Sequence, residues 1–96
     1  ARVAEVLQDY PDNDELKAKV DANPLDWQAR YDYAEALSAR GDLEAASDQL
    51  LTIIAKNRDW NEGAARTQLL KIFEAAGPTS EIAKQGRRKL SAILFS

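Results

Sequence analysis

Between Asp26 and Asn57 apolar residues recur at intervals of three and four in two runs, interrupted at Arg40-Gly41-Asp42. That is the period of an α-helix, so the stretch predicts two antiparallel helices joined by a short turn. Asp26 is a candidate N-cap of the first helix. Behind it Trp27, Arg30, Tyr31, Ala34 and Leu37 share one stripe, which Tyr33 and Ala36 widen. A stripe that broad predicts contacts on two sides. Gly41 is placed to end this helix in the left-handed conformation, and Asp42 to cap the next. The second run turns Leu43, Ala46, Leu50, Ile53 and Ile54 inward and Glu44, Asp48 and Lys56 outward. Ala34 and Ala46 are small where two facing helices must approach, while Tyr33, Leu37 and Leu50 are large enough to fill the flanks.

The same plan returns 36 residues later, measured from Gly41 to Gly77. Ala29-Arg30 recurs as Ala65-Arg66, and Tyr33 and Leu37 recur as Leu69 and Phe73. Asp26-Trp27 is echoed three residues early by Asp59-Trp60, and Asn61-Glu62-Gly63 makes up the difference, which predicts a lengthened turn before the helix. The later half is degenerate: Pro78 stands where Asp42 would align and Gly86 where Leu50 would. Thr79 or Ser80 can still cap a last helix running to about Phe95, with Ile82, Leu90, Ile93 and Leu94 as its stripe. At the other end, Val3, Val6 and Leu7 have helical spacing up to Asp9-Tyr10-Pro11. Asp12-Asn13-Asp14 offers caps for a short helix through Leu16 and Val20, closed by Asn23-Pro24. Repetition at this length marks a helical-hairpin array in which each unit buries its face against its neighbour.

Composition supports helix over sheet, since Ala, Leu, Glu, Lys, Gln and Arg are frequent and β-branched residues sparse. The 96 residues suit one domain, residues 1–96, close to the smallest size that folds alone. With no Cys and no His, disulfides, thiol chemistry and the usual transition-metal ligands are excluded. A chain without Met is expected to be a piece cut from a longer protein. No run approaches the roughly 20 apolar residues of a membrane span, and a cytoplasmic protein is expected. Charge is uneven: residues 1–48 hold twelve Asp/Glu and five Lys/Arg, residues 49–96 four and eight. PDNDE at Pro11 to Glu15 lacks the turn Gly and distant Glu of a calcium loop, so capping is the expected role of its Asp and Asn.

The central unit resembles a tetratricopeptide repeat, W-x₂-L-G-x₂-Y, then A-x₃-F, then P. The matching positions are Arg30, Tyr33, Ala34, Leu37, Ala46, Leu50 and Arg58, with the size pattern lost at Arg30 and Arg58. RDWNEGAARTQLLKIFEAAG from Arg58 to Gly77, with RRKLSAILF from Arg87 to Phe95, is similar to the C-terminal tetratricopeptide-like domain of bacterial thioredoxin-like co-chaperones, the chaperedoxins. The resemblance implies an all-α fold of about five to six helices, antiparallel hairpins stacked as a short right-handed superhelix. It further implies an N-terminal thioredoxin-fold domain in the parent protein. The implied function is an interaction module that binds unfolding clients, the chaperonin or the Hsp70 system. The contrasting expectation is a scaffold or dimerisation domain without a ligand, and homo-oligomerisation stays open.

In tetratricopeptide folds the first helix of each hairpin lines a concave groove, which the resemblance maps onto Gln28, Tyr31, Glu35 and Ser38, then Thr67 and Lys71. One Lys beside a Tyr and a Glu does not suit an acidic chaperone tail. The apolar tip Leu90, Ile93, Leu94 and Phe95 either caps the last hairpin's core or docks on a chaperone as a helix in a groove; arrays need end caps, which favours the first. Trp27 and Trp60 either anchor a partner or pack at the start of each hairpin, and large aromatics are usually well buried. Lys84, Arg87, Arg88 and Lys89 are read as cations complementing the C-terminal dipole of their helix; an acidic chain without interleaved exposed aromatics does not suggest nucleic acid. No catalytic residue, cofactor, metal or membrane is expected, because nothing activates a nucleophile.

Overall fold

The computed structural model describes residues 13–95, and the expected helix over Ala1 to Gln8 with its stop at Asp9-Tyr10-Pro11 lies outside them. Five α-helices follow one another: α1 (Asn13–Ala22), α2 (Trp27–Ala39), α3 (Leu43–Lys56), α4 (Ala64–Ala76) and α5 (Glu81–Leu94), with a 3₁₀ turn at Trp60–Gly63. There is no strand among the described residues, and the architecture is a superhelix of helical hairpins.

The helix ends follow from local chemistry. Asp26 accepts a hydrogen bond from the Ala29 amide at 3.1 Å, which supplies one of the donors that the first turn of α2 leaves unmet. At the other end Gly41 adopts φ +86°, the Gly41 amide donates to Ser38 O, and the Asp42 amide reaches back to Leu37 O. This pair of bonds is a Schellman closure, which needs a residue at ease in the left-handed region. Asp42 sits at the N-cap position of α3, but its carboxylate makes no capping bond. For α5 the cap is Ser80, whose hydroxyl accepts from the Ala83 amide at 3.2 Å and donates to Gly77 O at 2.7 Å. Asn13 and Asp14 belong to the first turn of α1, where acidic residues suit the helix dipole.

The core is organised around one helix. α3 buries Ala46, Ser47, Leu50, Leu51, Ile53 and Ile54, a wider belt than its stripe predicted, and packs against α2, α4 and α5. Ala34 and Ala46 are wholly enclosed, as close approach requires. On α2 the buried residues are Ala29, Ala34 and Leu37, while Trp27, Tyr31 and Tyr33 pack half-buried against the core. Arg30, expected within the apolar stripe, instead ties three elements with its guanidinium. Nη1 donates to Gln49 Oε1 at 2.8 Å on α3, and Nη2 to Pro24 O at 3.2 Å in the loop before α2. α1 packs on α2 through Leu16 and Val20, outside the main cluster.

The second hairpin keeps the plan with its volumes exchanged. Phe73 is the largest fully enclosed side chain, and its ring lies where a side chain at position 86 would begin: a Cβ added to Gly86 would stand 2.3 Å from the ring. Gly86 is therefore a packing partner of Phe73, and the loss of the large residue aligned with Leu50 is a compensation.

Candidate interaction face

On α2 the residues Gln28, Tyr31, Glu35 and Ser38 are three or four apart, so they rise along one face of the helix. Gln28 and Glu35 are exposed, Tyr31 and Ser38 half-buried. Gln28 Nε2 donates to Asp32 Oδ1 at 2.9 Å, a link within the helix that holds the carboxylate near Tyr31. Burial first, then the negative charges of Glu35 and Asp32, push the Tyr31 hydroxyl pKa above its ordinary value.

Tyr31 also meets Trp60. The two ring centroids are 5.4 Å apart with their planes at 49°, a tilted arrangement within the favourable range for aromatic pairs. Trp60 is carried there by an unusual turn. Asn61, Glu62 and Gly63 all have positive φ, at +48°, +56° and +81°, so three successive residues occupy the left-handed region between α3 and α4. Glycine does this freely and Asn tolerates it, whereas Glu is opposed by the contact of its Cβ with the following carbonyl, roughly 1–2 kcal/mol. The amide of Trp60 bonds Asn57 O and that of Glu62 bonds Asp59 O, both at 3.1 Å, which holds the turn in place. Asn61-Glu62-Gly63 is the segment that the repeat comparison isolates as an insertion.

On α4, Thr67 and Lys71 are exposed and one turn apart; the Thr67 hydroxyl donates back to Gly63 O at 3.3 Å. α2 and α4 share no extensive interface, and among the described residues no hydrogen bond or ion pair joins the α2 set to Thr67 or Lys71. The six candidate groove residues thus form two groups, with the Trp60 turn against the first. Trp60, read from the sequence as either a partner anchor or a packing residue at the start of its hairpin with packing favoured, lies against Tyr31, and the early echo of Asp26-Trp27 marks the offset that puts it there. That offset moves Trp60 out of the helix and into the turn.

The apolar tip divides in a different way. Leu90 is buried, Ile93 and Leu94 are half-buried against the core, and Phe95 is 85% exposed. Arg58, at the divergent last position of the repeat, donates from Nη2 to Ile93 O at 3.1 Å and so satisfies a carbonyl at the end of α5. The basic cluster has a different explanation from the one expected. α5 runs on to Leu94, so Lys84, Arg87, Arg88 and Lys89 stand in its middle turns, and its last turn holds no cation. Arg87 donates to Pro78 O at 2.8 Å and lies 5.7 Å from the centre of the Phe73 ring, and Lys89 pairs with Asp48 of α3 at 3.5 Å.

Among the described residues no three carboxylates are grouped to hold a metal ion. No helix among them is long and apolar enough to cross a membrane. The family model described as "Tetratricopeptide repeat" matches residues 7–95. No curated protein and no solved structure matches the chain.

Proposed function

Because the chain belongs to the tetratricopeptide-repeat family, whose repeats generally mediate protein–protein interaction and are typically non-catalytic, we propose that it binds protein segments along α2 and the adjoining Trp60 turn. The observation that carries this reading is the half-buried Tyr31–Trp60 pair. Aromatic rings give large contact area at little conformational cost and are enriched where binding energy concentrates. A strained turn that positions one of those rings is the kind of feature retained where geometry serves recognition.

The partners in this proposal are unfolding client proteins or general chaperones of the chaperonin or Hsp70 type, met in the cytoplasm. The chain is then the C-terminal domain of a thioredoxin-like co-chaperone. Support comes from the similarity of Arg58 to Gly77 and Arg87 to Phe95 to that group. The test is light scattering of an aggregating client with and without the chain, beside capture of chaperonin. Suppression or capture is expected, and both should weaken in Glu35→Arg and Tyr31→Ala while the melting temperature of Glu35→Arg stays unchanged. A folded chain that neither suppresses aggregation nor captures chaperonin overturns the chaperone assignment. Suppression unaffected by both substitutions overturns the α2 face.

A further inference from the structure

On α5 the residues Lys84, Arg88, Ser91 and Phe95 follow one another at helical spacing, so they fall on one face, and all four are exposed. The Phe95 amide still bonds Ser91 O, which carries the stripe through the end of the helix. Its ring is the most exposed large apolar side chain among the described residues.

The cations of α5 divide by what they meet. Arg87 is engaged by Pro78 O and the Phe73 ring, and Lys89 by Asp48. Lys84 and Arg88 have no hydrogen-bond or ion-pair partner among the described residues. The free face of α5 is therefore a positive stripe with an aromatic end.

α2 presents the complement. Glu35 is exposed and has no ion-pair partner among the described residues, and the half-buried Asp32 lies on the same side of Tyr31 chemically, both carboxylates acting on its hydroxyl. One turn from Glu35 the Tyr31–Trp60 pair offers ring surface. The cations nearby in sequence are turned elsewhere, Arg30 to Gln49 and Pro24 O, and Arg58 to Ile93 O. The negative charge of this face is thus not neutralised from within the chain.

The two faces also match in length. At about 1.5 Å per residue, Lys84 to Phe95 spans about 16 Å and Gln28 to Ser38 about 15 Å. Laid antiparallel with Arg88 opposite Glu35, Phe95 comes level with Gln28, one turn from Tyr31; laid parallel, it would fall level with Asp42, past the end of α2. α2 and α5 of one chain share no extensive interface, so the two faces meet only between copies. The acidic balance of residues 1–48 and the basic balance of residues 49–96 draw two copies together in the same sense.

We propose that the exposed stripe of α5 docks antiparallel on the α2 face of a second copy of this chain, with Arg88 against Glu35 and Phe95 against the Tyr31–Trp60 pair. Because the two patches differ, the contact is head-to-tail and leaves one patch free at each end, so it grows into a ring or a row instead of stopping at a two-fold dimer. The contact rests on the reading of α2 as a docking face, and needs neither the client nor the chaperone assigned to it above.

The test is sedimentation velocity of the chain at low salt over a wide concentration range, beside amide NMR. Growth beyond a dimer is expected, with the Tyr31, Glu35, Arg88 and Phe95 amides shifting together as concentration rises. Glu35→Arg and Arg88→Glu should each weaken association about tenfold, since a repulsion replaces an attraction of similar size. Combined in one chain they should restore it to within about threefold, because the pair is re-formed with its signs exchanged. Phe95→Ser should also weaken association, and none of these exposed positions should move the melting temperature. An equimolar mixture of Glu35→Arg and Phe95→Ser holds one intact face of each kind, so it should stop at a one-to-one heterodimer. A chain that is monomeric throughout, association indifferent to both charge reversals, or a double variant that stays dissociated overturns the proposal. If a monomeric chain still suppresses client aggregation, the α2 face stands without this contact.

Discussion

The two hairpins of this chain fill the same space with opposite choices. In the first, Leu37 on α2 and Leu50 on α3 are both buried; in the second, at the same repeat positions, Phe73 on α4 is enclosed and Gly86 on α5 gives it room. The helix-to-helix turns differ similarly. The first is closed by the Schellman bonds at Gly41 with Asp42 making no cap, the second by the Ser80 hydroxyl bonding in both directions. What is kept between the repeats is a filled contact across the facing helices and the satisfaction of helix ends. Individual residues are free to change when their partners change too, because a close-packed interior responds to total volume and shape.

The strongest attack on this comparison is Phe73→Ala, which empties the centre of the second hairpin. It should cost about 3–5 kcal/mol in urea unfolding. A loss below about 1 kcal/mol would show that Phe73 is not the volume counterpart of Leu50.

Gly86→Ala comes next. Helix propensity favours Ala by about 1 kcal/mol, yet the added methyl group collides with an enclosed ring, and overpacking typically costs about 1–3 kcal/mol. Net destabilisation is expected, relieved when Phe73→Leu is combined with it. A stabilised Gly86→Ala single variant would break the comparison, and additivity in the double-mutant cycle would deny the coupling.

The turns can be compared by one pair of substitutions. Ser80→Ala should lose about 1 kcal/mol, whereas Asp42→Ala, which breaks no capping bond, should stay within about 0.5 kcal/mol. Equal losses would mean that the two turns are held alike. Smaller still, Glu62→Gly should raise stability by about 0.5–1 kcal/mol, because it relieves a left-handed backbone that has no equivalent before α2. Thermal melting of the variant decides this.

The smallest effect concerns the contact between the first hairpin and that turn. Burial together with Glu35 and Asp32 raises the folded-state pKa of Tyr31 above its unfolded value, so the folded chain holds this proton more tightly. Its contribution to stability is present below the unfolded tyrosine pKa and is lost as pH rises through the folded one. The fall in stability across the alkaline range should be shallower in Tyr31→Phe than in the unsubstituted chain. Identical slopes would remove the electrostatic account of this residue.

Several elements were legible because their causes are local. The cap at Asp26, the stop at Gly41 and the end of α3 before Asn57 each depend on residues within one turn of the helix end and were placed from the sequence, while the last cap was narrowed to Thr79 or Ser80 and is Ser80. Asn61-Glu62-Gly63 was recognised as an insertion but not as a left-handed turn, since Asn and Glu carry no strong signal for that conformation. The candidate groove residues lie on α2 and α4. That α2 and α4 share no extensive interface depends on how the hairpins stack, which spacing does not encode. Arg30 read as part of an apolar stripe by position alone, and only the nearness of Gln49 and Pro24 made it a tie between elements.

By itself the sequence determined the described helices, their order, several of their ends and the repeat, because each of these follows from the period of apolar residues and from short-range hydrogen bonding. Tertiary structure decided the rest. It made α3 the helix on which α2, α4 and α5 all pack, turned Gly86 from a gap in the repeat into the seat of the Phe73 ring, and set Trp60 against Tyr31. It also brought Glu44 and Asp48, outward charges when α3 is read alone, to the rim of a cleft completed by α5. The physical reason is that helix formation is settled within a few residues, whereas the environment of a side chain is settled by whichever distant helix comes to lie beside it.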